Sequence, residues 1–157
     1  METMDTRNKK TIASMMVLVA VTLSFIWAHS FMGMEESAEE SGFFYELLCP
    51  FFELFMGEGN VTELFIRKLA HFTEFFALGL ELMLLLKLLY MKLGWKMLVN
   101  SWVLGTFCAL IDETIQIFSG RGSQVQDVWL DSAGCMTGVL VMTGCIILFR
   151  KKKKVKQ

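Results

Sequence analysis

The chain has 157 residues, of which 54% are hydrophobic, with 14 Phe, 12 Met and a single Pro, and its mean hydropathy is +0.49. An ordinary globular chain is roughly 45–50% apolar, so collagen, low-complexity and disordered chains are excluded, and nothing here fits a soluble cytosolic enzyme. The formal net charge of −1 conceals a strong segregation of charge along the sequence.

Residues 1–11 form an N-terminal tail carrying Arg7, Lys9 and Lys10. Residues 12–31 (IASMMVLVAVTLSFIWAHSF) are the first run long enough to cross a bilayer, which takes about 20 residues. The apolar region of a secretory signal is roughly 7–15 residues long. This one continues to Trp27, which favours a retained anchor, and His29 near its end reads as an interface residue.

An acidic loop follows over residues 32–66, with Glu35, Glu36, Glu39, Glu40, Glu46, Glu53, Glu58 and Glu63. Within it, residues 43–56 (FFYELLCPFFELFM) are too short to span and are interrupted by Pro50. Two readings stay open: a broken helix lying in the headgroup region, or a loop folded against the bundle. Whether the segment covers a site as a lid is left open by the sequence. Gly57 to Gly59 read as a hinge, and Asn60 or Thr62 as the cap of the next helix, supported by Glu63.

Residues 67–149 contain three further spans, over about 69–90, 97–118 and 128–149. Gly134 and Gly138 form a GxxxG in the last, read as a packing notch within the bundle. Residues 150–157 are a polybasic tail suited to anionic lipid rather than nucleic acid. Cys49, Cys108, Cys135 and Cys145 contain no CxxC pair, so neither a disulfide framework nor a zinc site is expected from them.

Orientation follows from lysine and arginine. Twelve of the 15 basic residues fall before the first span, around the turn between the second and third, or after the fourth. That side is the cytoplasm. The expectation is an all-α integral membrane protein: a four-span bundle with both termini cytoplasmic and an interfacial helical segment in the first extracytoplasmic loop.

Arg67, Lys68 and Arg121 break this pattern, and other polar residues gather beside them. The second span opens RKLAHFTE, with His71 and Glu74. The third ends DETIQ, with Asp112, Glu113 and Gln116. The fourth begins DVWLD, with Asp127 and Asp131. His71 and Glu74 share a helix face at three apart, as do Asp112 with Gln116 and Asp127 with Asp131 at four. At 1.5 Å rise, Glu74 and Asp112 lie roughly 9 Å and Asp131 about 5 Å inside their span ends, which is one layer of the outer leaflet. An ionised side chain at mid-bilayer costs about 2.5–3.5 kcal/mol on insertion scales. Such groups are affordable facing one another around water. The favoured arrangement is a polar pocket open to the outside between spans two, three and four; the alternative is interhelical pairing that only fixes the packing.

At these residues the chain resembles the VanZ-like family of small bacterial membrane proteins. The matching elements are RKLAHFTEF at 67–75, DETIQ at 112–116, Arg121 in its glycine-serine turn, and DVWLDSAGCMTG at 127–138. Four separated blocks match in order, across roughly residues 60–149. The chain has Asp131 where many members have Asn. The resemblance implies a link to glycopeptide resistance of the teicoplanin type.

The residue types suggest chemistry. Arg67, Lys68 and Arg121 suit a phosphate or carboxylate, with Gln116, Asp127 and Asp131 completing a ligand-binding set. His71, Glu74, Asp112 and Glu113 are the candidate catalytic residues, with His71 and Glu74 as base and orienter. Asp112, Glu113, Asp127 and Asp131 would hold a divalent cation such as Mg²⁺ through oxygen ligands. On this reading the protein acts on a lipid-linked cell-wall precursor. A non-enzymatic binder that limits access of a lipoglycopeptide is the main alternative. A proton-coupled transporter is a third, with Glu81 near mid-membrane as its relay, although inverted repeats are lacking. Glu81 bonded as a protonated carboxyl to a neighbouring helix is the rival reading of that residue.

Overall fold

The computed structural model describes residues 6–90, 93–121 and 124–155. The expectations placed on Lys92, Gly122, Ser123 and Lys156 lie outside the described residues, as do the side chains of Arg7 and Lys151 to Lys154. The described chain is all-helical: α1 Thr6–Phe31, α2 Met34–Met56, α3 Glu63–Tyr90, α4 Trp95–Phe118 and α5 Val125–Val155. Three stretches are long and apolar enough to cross a membrane: Asn8–Phe31, Trp95–Phe118 and Val125–Arg150. The α3 helix is 28 residues long, beyond the about 20 a span needs, and carries Arg67, Lys68, His71, Glu74, Glu81 and Lys87 along its length.

The α2 helix is unbroken, unlike the broken helix or the loop expected over residues 43–56. It is one continuous helix that begins in the acidic stretch and passes through Pro50. Proline removes one helical hydrogen bond and crowds the carbonyl four residues earlier. Pro50 and Glu46 are both exposed, so the freed carbonyl is on the side where it costs least. Cys49 of α2 packs with Val61 and Ile66, flanked by Tyr45, Leu48, Phe52 and Phe65. Phe43, Leu47, Phe51, Leu54 and Phe55 remain exposed.

The turn after α2 needs its glycines. Gly57 and Gly59 have φ of 86° and 75°, values that a side chain disfavours. Gly57 N–H donates to the Glu53 carbonyl and Gly59 N–H to Glu53 Oε1. Of the two proposed caps, Thr62 is the one used: its Oγ1 accepts from Phe65 N–H at 3.1 Å. Asn60 instead donates to the Met56 carbonyl.

The core is a tight group of α3, α4 and α5. A Cβ at Gly134 would come 2.5 Å from the Phe72 carbonyl oxygen; at Gly138 it would overlap Phe76 O, and at Gly79 it would overlap Cys135 O. Backbone therefore lies on backbone along the α3–α5 seam, the close approach that small residues permit. Gly105 of α4 accommodates Cys135 Sγ in the same way. Phe75, Leu78, Met83, Ala109, Cys135 and Val139 fill this core, and Val19 and Ile26 of α1 join it.

Candidate functional site

Connectivity brings the C-terminal end of α1, the start of α3, the end of α4 and the start of α5 into one layer. On α4, the four-residue spacing of Asp112 and Gln116 sets both on the buried face. Asp112 is fully buried. Its Oδ2 accepts from Gln116 Nε2 at 2.8 Å, and its Oδ1 from Ser30 Oγ of α1 at 2.5 Å. From α3, His71 Nδ1 lies 3.9 Å from Asp112 Oδ2 and 3.9 Å from Asp131 Oδ1 of α5. Asp131 is also fully buried, and neither of its oxygens has a hydrogen-bond partner among the described residues.

A latch closes α1 onto α4. Gly120 takes φ 76° after the end of α4, and Arg121 N–H returns to the Gln116 carbonyl. Arg121 is thereby turned inward, 7% exposed, with Nη1 donating to the His29 carbonyl at 2.7 Å. Ser119 Oγ donates to the Ser30 carbonyl beside it. The Ser119 bond satisfies a carbonyl of the last turn of α1, while the His29 carbonyl takes Arg121 as a second donor beside Met32 N–H at 3.2 Å. Burial pulls the Arg121 guanidinium below its ordinary value, and the nearby Arg67 charge adds to this.

The remaining residues of the expected site divide. Lys68 Nζ pairs with Asp127 Oδ1 at 3.1 Å on a more exposed side. Glu113 Oε2 accepts from Gln124 N–H. Glu74 faces His29 at 3.7 Å from Nδ1, on the α1 side, whereas the carboxylates beside the His71 ring are Asp112 and Asp131. Ser132 is occupied by Trp102 Nε1 and Thr106 Oγ1. Deeper, Glu81 Oε1 accepts from Thr22 Oγ1 at 2.8 Å.

A cavity of about 790 Å³ opens between α1, α2 and α3, with Arg121 at its rim. Its location differs from the hollow expected between spans two, three and four, and the reason is steric. The glycine seams at Gly79, Gly134, Gly138 and Gly105 draw α3, α4 and α5 too close to leave room. One end of the cavity is polar, with His29, Glu40, Arg67, His71, Glu74 and Arg121; Val21, Phe25, Phe44, Leu48, Leu69 and Ala77 line the apolar remainder. His71 faces this cavity and also meets the two buried aspartates.

Sequence reasoning missed His29, Ser30 and Glu40. His29 Nε2 meets Glu40 Oε1 at 3.0 Å and joins α1 to α2 across the cavity. The available signal was depth: His29 and Ser30 interrupt an apolar run at the level of His71 and Asp112. Glu40 carried no signal, being one of eight glutamates in its loop.

A family model described as VanZ/LLP1 matches residues 15–149, most of the chain. No curated protein and no solved structure matches it.

Proposed function

The chain belongs to the VanZ/LLP1 family, and we propose that it is a cell-envelope membrane protein linked to glycopeptide resistance of the teicoplanin type, which takes the polar head of an amphiphile into the cavity between α1, α2 and α3. In this reading α1, α3, α4 and α5 cross the membrane with both termini cytoplasmic. The α2 helix lies at the outer interface, its exposed phenylalanines and leucines among the lipids. The distribution of lysine and arginine supports that orientation.

The observation that carries the proposal is the two-ended cavity. Its volume is in the range of small-molecule sites, and its composition changes from apolar to ionisable along its length. That is the pattern a lipid-linked cell-wall intermediate would match, with its chain along Val21, Phe25, Phe44 and Leu48 and its phosphate toward Arg67 and Arg121. Arg121 Nε is buried and has no hydrogen-bond partner among the described residues, so one guanidinium donor is open to an anion there. His71, held against Asp112 and Asp131, is the group placed to exchange a proton with a bound head.

One observation favours the second reading, a binder without turnover. Three hydroxyls along the cavity are engaged: Thr22 on Glu81, Ser41 on the Ser37 carbonyl and Thr73 on the Leu69 carbonyl. Only Thr22 has a carboxylate beside it, and that pair lies deeper than the ionisable end, so neither Ser41 nor Thr73 is activated as a nucleophile there.

The test is a resistance assay in a susceptible bacterium producing the protein. His71→Ala and Asp112→Asn should each abolish tolerance with membrane abundance unchanged. Abundance falling with the phenotype would mean that the layer only holds the fold. Purified protein mixed with lipid-linked wall precursor then divides the two readings: lipid altered over time marks an enzyme, and one-to-one capture of unaltered lipid marks a binder.

A further inference from the structure

Asp112 and Asp131 present an electrostatic problem that the described side chains do not resolve. Two carboxylates are fully buried beside one imidazole. Lys68 pairs with Asp127, and Arg121, whose charge reaches Asp112, places Nη1 on the His29 carbonyl; neither makes a salt bridge to Asp112 or Asp131 among the described residues. Buried charge is retained when it is paired or when it coordinates a metal. Among the described residues both Asp131 oxygens and His71 Nδ1 lack a hydrogen-bond partner, and at 3.9 Å the His71 ring is too far from either acid for a hydrogen bond. Three donor atoms, one each from His71, Asp112 and Asp131, lie within 4.8 Å of one another.

From this geometry we infer that His71, Asp112 and Asp131 form a binding site for one divalent first-row transition ion, Zn²⁺ or Mn²⁺. His71 Nδ1 is 3.9 Å from each acid and all three donors lie within 4.8 Å, so a point equidistant from them is at most roughly 2.5 Å from each, and a contraction of a few tenths of an ångström reaches the 2.0–2.2 Å of zinc–nitrogen and zinc–carboxylate bonds. The donor set of one imidazole nitrogen with carboxylate oxygens selects the metal class, because Mg²⁺ prefers an all-oxygen octahedral shell. Glu113 and Asp127, grouped with these acids on sequence grounds, are outside the site: one accepts from Gln124 N–H and the other pairs with Lys68.

Ser30 and Gln116 each donate to Asp112, orienting it as the outer partners of metal ligands do. With Nδ1 on the metal, the His71 ring carries its proton on Nε2. Three protein ligands leave a position for water, the arrangement of catalytic rather than structural zinc.

The experiment uses the full-length protein in detergent, stripped with chelator and titrated with Zn²⁺ or Mn²⁺ alone, with metal content and melting temperature as readouts. Wild type should take up one ion per chain and melt higher with it. Asp131→Asn should bind about 100-fold more weakly or not at all and gain no thermal protection, and Asp127→Asn should bind as wild type does. Without metal, Asp131→Asn should melt at or above wild type, because it removes a buried like charge. A purely structural His71–Asp131 ion pair predicts the reverse, a metal-free variant that melts lower, and that result overturns the site. So does wild type that takes up neither ion, or takes up only Mg²⁺. Cobalt substitution of the wild type gives a further check, since ligand-field bands of a nitrogen–oxygen site must appear. Uptake is read without any amphiphile, so the metal site stands or falls separately from the cavity's occupant.

Discussion

Replacing Gly138 by alanine should separate α3 from α5, and replacing Gly144 on the same helix should not. A Cβ at Gly138 overlaps the Phe76 carbonyl oxygen and lies 2.9 Å from Leu80 N. Both are backbone atoms inside a helix, so neither can turn aside. Carbon atoms sit comfortably at about 3.5–4.0 Å, so α5 must retreat by roughly 1 Å. Overpacking of this kind costs about 1–3 kcal/mol, with further loss as neighbouring contacts open. Alanine returns about 1 kcal/mol of helix propensity, for a net loss of about 2 kcal/mol. Gly144 has nothing within 4 Å of its Cβ position, so Gly144→Ala should gain up to about 1 kcal/mol. The difference of about 3 kcal/mol corresponds to roughly 6–12 °C for a chain of this size. Melting in detergent, followed by tryptophan fluorescence, measures it. Equal shifts for the two variants, or a Gly138→Ala protein that melts above wild type, would refute the seam. Tolerance should be lost with Gly138→Ala as well, since the seam sets the separation of His71 from Asp131.

Three further outcomes follow from the contacts. Arg121→Ala removes a charged donor from the part-buried His29 carbonyl, which keeps only Met32 N–H at 3.2 Å, and should cost about 1.5–3 kcal/mol, the worth of a hydrogen bond to a charged group, read as a lower melting temperature. Glu81→Gln keeps an acceptor for Thr22 Oγ1 and should leave tolerance and stability unchanged; loss of tolerance at normal abundance would revive the proton-relay reading. Exchanging the charges of the Lys68–Asp127 pair, as Lys68→Asp with Asp127→Lys, should restore most of what either single change removes, which is up to about 1 kcal/mol for a partly exposed pair.

The helical class was legible because long apolar runs and charge asymmetry are one-dimensional signals. The layer of His71, Asp112 and Asp131 was legible for a related reason: helical rise converts sequence distance from a span end into depth. Depth does not specify which neighbour a side chain faces. Glu74 shares a helix face with His71, yet it turns toward His29 of α1, because α1 packs on that side of α3. The position of the cavity was hidden for the same reason. GxxxG spacing indicated close packing, but not that closing α3 onto α5 would leave the free volume between α1, α2 and α3. Pro50 misled because its local cost is offset by packing that no local rule counts: Tyr45, Leu48, Cys49 and Phe52 on both sides of it join one cluster with Val61 and Ile66.

The packing divides the molecule into two unequal parts. The α3–α4–α5 core is held by backbone contacts across glycines, which yield little. The cavity wall formed by α1 and α2 is joined by side chains: the His29–Glu40 pair, and the Arg121 and Ser119 bonds to the end of α1. Motion therefore belongs to the wall, since polar contacts near a surface open at lower cost than a packed core. On the proposed reading, an amphiphile reaches the site sideways, displacing α2 from α1 while its chain stays at lipid depth. His71 makes that route consequential. It belongs to the rigid core through Asp112 and Asp131, and it is also a wall of the cavity, so a head group arriving between α1 and α2 meets the one residue tied to both buried acids.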